Sequence, residues 1–227
     1  MYRHCLVILA ALLVAQLGFT QKTRTGAIRG TVIDQSGNAV AGATVWFHLL
    51  TNRPIFGAIP SARTTQDGHY AISNLPLGDY ALNPWKEEDG YPNQVGALYS
   101  DGAPFAHLTR VSLTAEAPVV KGVVLVLGPK AGVIEGSISD AGTGKAVTAE
   151  VALTRTDKRG ALDRSAKGSY RVLVPAAKGV MLSVRAPGYQ DWYYPGVTDR
   201  SHTTPLVLHS DERRTINVRL VPKNQRQ

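Results

Sequence analysis

The 227-residue chain contains a single cysteine, Cys5, set in an apolar N-terminal run. No disulfide and no cysteine-bound metal framework can therefore be built in the rest of the chain, even in an oxidising compartment. Long helical periodicity is missing after residue 20. Runs of five or more basic residues are missing too, so the net charge of +8 gives nucleic-acid binding little support. That charge reads as spread along the chain, which leaves open a mild attraction to acidic polysaccharides or membrane surfaces. The common catalytic patterns are also absent: no Gly-x-Ser-x-Gly, His-Glu-x-x-His, Cys-x-x-Cys or phosphate loop occurs. Gly142, Thr143, Gly144 and Lys145 make only a turn with a lysine, without the spacing or the Ser or Thr that a phosphate needs. On these grounds no catalytic residue, cofactor or metal ion is assigned, and an enzyme is disfavoured. A hydrolase stays open, because triads are assembled in space and not in sequence.

Residues 1–20 are expected to be a cleaved signal peptide. Arg3 supplies the positive start, residues 5–17 are apolar except for Gln16, and small Gly18 and Thr20 precede a cut before Gln21. The apolar run is too short to span a bilayer comfortably. Cys5 lies before it, whereas a lipidated cysteine should lie just after it. The mature chain then has no transmembrane segment, keeps 24 Lys and Arg against 17 Asp and Glu, and is secreted or periplasmic.

What the chain does have is a repeat. Ile28, Gly30, Val32 and Asp34 return as Ile134, Gly136, Ile138 and Asp140. In both places a strand-like run leads through a Gly-rich turn into a second strand, the mark of one module written twice. Strand-like runs of five to eight residues alternate with Gly, Pro, Asn and Asp throughout, which predicts an all-β protein of two small sandwiches. Their expected bounds are 21–129 and 130–222, followed by a polar tail over 223–227 expected to fray. Asp67 and Gly68 predict a hairpin between residues 63–65 and 69–73. Residues 123–127 are unbroken apolar, which predicts a strand buried on both faces. Residues 205–210 and 213–221 are expected to supply the last strands. Tyr70 and Tyr80 are expected in the core with their hydroxyls reaching backbone.

Four motifs in the first repeat carry a resemblance. They are Gly30, Val32 and Asp34; Gly37, Ala39, Val40, Gly42, Ala43 and Val45; Thr64, Asp67, Gly68 and Tyr70; and Leu75, Pro76, Gly78 and Tyr80. Together they resemble the carboxypeptidase regulatory-like family. The resemblance implies a transthyretin-like, seven-stranded Greek-key sandwich that serves as a non-catalytic accessory module in secreted bacterial proteins. No site residue is carried over from it. The second repeat keeps Gly168 and Tyr170 but has Lys167 in place of the Asp, and it loses the Pro-x-Gly-x-Tyr element, so it matches less well.

Aromatic residues make up only 7% of the chain, so a local concentration of them stands out. Tyr189, Trp192, Tyr193 and Tyr194 fall within six residues, beside Asp191. Exposed rings could stack on a sugar while Asp191 accepts its hydroxyls. Alternatively, the rings pack under the sandwich edge, which the high average burial of Tyr and Trp favours. Trp85, Tyr91 and Tyr99 are a sparser echo in the first repeat. His48, His69, His107, His202 and His209 are scattered, with no pair at metal-ligand spacing. Asp34 and Asp67 lie in plain turns. The sequence thus predicts a non-catalytic binding, adhesion or structural module of the bacterial cell envelope. Its partner is an unidentified extracellular or envelope protein or polysaccharide; the alternative is a carbohydrate binder centred on Trp192.

Overall fold

The computed structural model describes residues 25–51, 58–157 and 160–223. The expected signal peptide lies outside them, as do residues 224–227 of the expected tail. The described residues are almost wholly strand, turn and loop, and none of their helices is long and apolar enough to cross a membrane.

Seven strands form the first half. They are β1 (Thr25–Ile33), β2 (Thr44–Leu49), β3 (Ser61–Arg63), β4 (His69–Pro76), β5 (Gly78–Trp85), β6 (Thr109–Leu113) and β7 (Val119–Val126). One sheet has the order β4-β1-β7 and the other β3-β2-β5-β6. Alternation decides which side chains meet between them. Ile28 and Val32 of β1 face Val45 and Phe47 of β2 and Tyr80 and Leu82 of β5, all buried in one core.

The second half repeats the pairing. Its strands are β8 (Gly132–Asp140), β9 (Thr148–Arg155), β10 (Ala161–Lys167), β11 (Ser169–Val174), β12 (Val180–Arg185), β13 (Trp192–Tyr193), β14 (Arg213–Thr215) and β15 (Val218–Leu220). Strand β11 lies antiparallel to β8, while β14 and β15 lie parallel to it, as β4 and β7 flank β1. Strands β13, β12, β9 and β10 make the opposing layer, joined to β11 only by the pair Lys167 and Ser169.

The repeated Gly and Tyr have one physical reason. Gly30 pairs with Tyr70 between β1 and β4, and Gly136 with Tyr170 between β8 and β11, the first and fourth strands of each half. A side chain at Gly30 would come within 1.8 Å of the Val123 carbonyl, and one at Gly136 within 2.0 Å of the Ile216 carbonyl. Val123 belongs to the parallel strand β7 and Ile216 to the break between β14 and β15, and the tyrosine hydroxyls donate to these carbonyls, at 3.3 Å from Tyr70 and 2.8 Å from Tyr170. Glycine makes room for the strand and tyrosine fastens it. Burial pushes both hydroxyls well above the usual phenol range. Tyr80, also buried, donates to the Pro76 carbonyl at 2.8 Å.

Several expectations need correction. Residues 123–127 are not buried on both faces: β7 is an edge strand whose Val124 is 54% and Val126 53% exposed, while Leu125 and Leu127 turn inward to the core and Val123 packs against it. An apolar run does not reveal whether a second layer covers it. Asp67 and Gly68 do not close a hairpin, because β3 pairs with β2 and β4 with β1, so the turn carries the chain between sheets. Gly68 takes φ of 72° there and gives its carbonyl to the Val32 amide. Residues 205–210 contribute a single bridge, Leu206 to Val180, in place of a strand. The last strand divides at residues 216 and 217, where the Asn217 side chain accepts from the Ser137 amide and hydroxyl. Strand β10 has no apolar run and was not anticipated.

The halves are not independent beads. Leu98, from the loop between β5 and β6, is 2% exposed and packs in the core of the second half. Asp101 of the same loop pairs with the buried Arg155 guanidinium of β9, which also holds Asp157. The basic surplus is equally uneven. Residues 21–129 balance 8 basic against 8 acidic residues, while 130–227 carry 16 against 9. The +7 of residues 21–227 thus resides in the second half, not along the whole chain.

Candidate binding surfaces

The predicted aromatic cluster is built by the short strand β13 and the turns around it. Trp192 pairs with Val184 and Tyr193 with Ser183 of β12. Trp192 is 9% exposed and belongs to the second core; Tyr193 is equally buried. Tyr189 and Tyr194 are half-buried and pack against that core. Their polar ends are engaged. Tyr189 donates to Asp140 Oδ2 at 3.0 Å, and Tyr193 donates to Asp191 Oδ2 at 3.3 Å, where Arg185 Nε also pairs at 3.3 Å. The Asp140 carboxyl is held below its usual range, chiefly by the Thr143 amide, and the bond to Asp140 in turn pushes the Tyr189 hydroxyl up. The structure therefore brings the five predicted residues together, but it turns two of the rings inward and ties Asp191 to Arg185. A flat platform of exposed rings is not what they form.

A second aromatic group was missed. Trp46 and His48 of β2 alternate with Phe47, so they leave the core for the outer face of their sheet. Asn83 and Trp85 of β5 share that face. Trp46 meets Trp85 edge-on at 5.5 Å, and His48 lies 5.0 Å from Phe105 of the covering loop. Asn83 donates to Asn93 Oδ1 at 2.7 Å. Burial lowers the His48 pKa, and its Nε2 is buried with no hydrogen-bond partner among the described residues. The period of two in residues 44–49 already placed Trp46 and His48 on one face. What the sequence lacked was the loop that comes to lie over them.

The third surface is the rim at β7. Among the described residues the strand is paired with β1 on one side only, and Val119, Val124 and Val126 beside that open edge are each about half exposed. Among the described residues no group of three His, Cys, Asp or Glu side chains converges as a metal site would require.

The strand order, the Gly30 and Tyr70 pair, and the turn at Gly68 bring the family into view. Residues 27–97 match the carboxypeptidase regulatory-like domain. That match runs from β1 into the loop after β5 and does not extend to β6, β7 or the second half. No curated protein matches the chain. Among solved structures, a Streptococcal ancillary pilin shares 17% identity with a TM-score of 0.37, over 90% of this chain and 64% of its own. The minor pilin GBS52 of Streptococcus agalactiae shares 13% at a TM-score of 0.37, over 89% of this chain and 98% of its own. The Bacillus anthracis TIE protein shares 15% at 0.32, and the matched region is 87% of this chain but 34% of that protein. The chain thus spans about a third of one of these proteins and just under two thirds of another.

Proposed function

We propose that the chain is a secreted, non-catalytic binding or adhesion module of the bacterial cell envelope that meets a protein partner along β7. The observation that carries this reading is the open edge of β7 with Val119, Val124 and Val126 exposed beside it. An unpaired strand edge offers backbone donors and acceptors to an incoming strand, and neighbouring apolar side chains add contact area. The match of residues 27–97 to a domain that carries no catalytic residues of its own supports the same reading. The test is retention on bacterial cells of the chain from Gln21, with and without Val124→Lys and Val126→Lys together. Both positions are exposed, so the fold should tolerate lysine. Retention by the parent chain that the double variant loses supports the proposal, and equal retention of the two sinks it.

A polysaccharide partner is the second reading. Tyr189 and Tyr194 are each half-buried and flank Asp191 in sequence, and partly exposed aromatic residues near a carboxylate suit a sugar. A glycan panel probed with Tyr189→Ala and Tyr194→Ala tests it.

A further inference from the structure

A cavity of about 330 Å³ lies at the end of the first sandwich, beside the last residues of β7. Its lining comes from β5, β6, β7, the loop between β5 and β6, and the residues just after β7; neither β1 nor β4 contributes. Among the described residues β7 and β6 are each the end strand of their sheet. The cavity therefore sits in the seam between two open edges, on the side of β7 away from β1. Burial grades across its lining. Leu82 and Leu125 are buried members of the first core, Gln94 and Ser100 are half-buried, and Thr109 and Val126 are exposed. The floor is thus apolar and the mouth more polar.

The backbone of β7 points the same way. The Leu127 amide donates to the Ile33 carbonyl of β1 at 2.9 Å. Backbone groups alternate in direction along a strand, so the amides and carbonyls of Val124 and Val126 are turned away from β1, to the open side. An incoming extended chain would take up those groups. Every second side chain of such a chain turns to the inner side, the side that Leu125 and Leu127 take. The inward side chain that lies level with Val126 meets the cavity. The floor decides what that side chain is. A charged or amide tip would find no partner beside Leu82 and Leu125, and a tyrosine would carry its hydroxyl down to them. Alanine or valine would leave most of the space empty and forfeit contacts. A phenylalanine ring fills it and brings a large apolar area to the leucines. The polar groups at the mouth then face the backbone of the incoming chain.

We infer that the partner met along β7 is an extended protein segment that pairs with Val124 and Val126 and places a phenylalanine in this cavity. The inference deepens the proposed contact along β7 and rests on it. The test titrates the full chain from Gln21 with two probes, followed by calorimetry. Both are peptides that alternate threonine and valine between terminal lysines; one carries a single phenylalanine and the other an alanine at that place. The phenylalanine peptide should bind at least about tenfold tighter. Ala103 is exposed in the cavity wall, so Ala103→Trp should fill the space, abolish the advantage of phenylalanine and leave the alanine peptide unchanged. Val124→Pro removes an amide that β1 does not use, and a proline is tolerated at such an edge position. It should weaken both peptides at least about threefold while the chain melts as the parent does. The inference is overturned by equal binding of the two peptides to the parent chain, by a phenylalanine advantage that survives Ala103→Trp, or by no saturation with either peptide up to about 1 mM. Equal binding that Val124→Pro weakens removes the phenylalanine and leaves the edge contact standing. Binding of the phenylalanine peptide that ignores Val124→Pro overturns both, since the ring would then enter without a strand on β7. Where Val124→Pro fails to fold, the comparison of the two peptides on the parent chain and on Ala103→Trp still decides the inference.

Discussion

Leu98→Ala should destabilise the half of the protein to which Leu98 does not belong in sequence. Leu98 sits in a first-half loop, is 2% exposed, and packs in the second core with the strands that follow residue 130. The substitution removes three carbons from that core, worth about 2.4 kcal/mol at about 0.8 kcal/mol per buried methylene. A cavity contribution is added to the extent that the loop cannot collapse. Here it can collapse little. A side chain on Gly160 would lie 2.0 Å from the Ala97 carbonyl, so the loop backbone is already in contact with the start of β10. On the other side, Asp101 is fastened to Arg155. The total should be about 3–4 kcal/mol, a fall in melting temperature of about 10 °C for a chain of this size. Denaturant unfolding gives the magnitude, and hydrogen exchange read by mass spectrometry gives the place. Exchange should quicken in β9, β11 and β12, which supply much of the core that Leu98 joins. A loss below about 1 kcal/mol, or faster exchange confined to β1, β2 and β5, would refute the coupling of the halves through this loop.

Trp192→Ala should cost about 3–5 kcal/mol, because the ring fills the second core; denaturant midpoints check this, and any sugar binding it abolished would report unfolding. Gly136→Ala should cost at least about 3 kcal/mol, since its new carbon meets the Ile216 carbonyl at 2.0 Å. Gly144→Ala, at φ of 70° with open space around it, should cost only about 1–2 kcal/mol; the contrast is read from paired melting curves. The depressed His48 pKa, caused by burial, makes the folded chain favour neutral imidazole. The unfolded chain therefore takes up the proton first as pH falls below about 6.5, so His48 costs stability progressively on the acid side. Melting temperature against pH should flatten in that range in His48→Leu, and an unchanged profile would count against a neutral buried imidazole.

The chain order by itself determined the all-β class and the inward side of β1. Those properties follow from local alternation and turn chemistry, and Gly30, Gly68 and Tyr70 are legible because only their chemistry fits a crowded strand crossing. Burial of β7 was misread because an apolar strand looks the same whether or not a second layer covers it. The aromatic residues around Trp192 are neighbours along the chain, but the direction of each ring depends on how β13 pairs with β12. Above all, only the tertiary structure decided the junction. Leu98, Tyr99 and Asp101 lie together in one loop, but their partners in the second half, Arg155 among them, lie far along the chain with no periodic pattern to link them. Their shared surroundings come from a loop folding across a boundary, and no local preference encodes that.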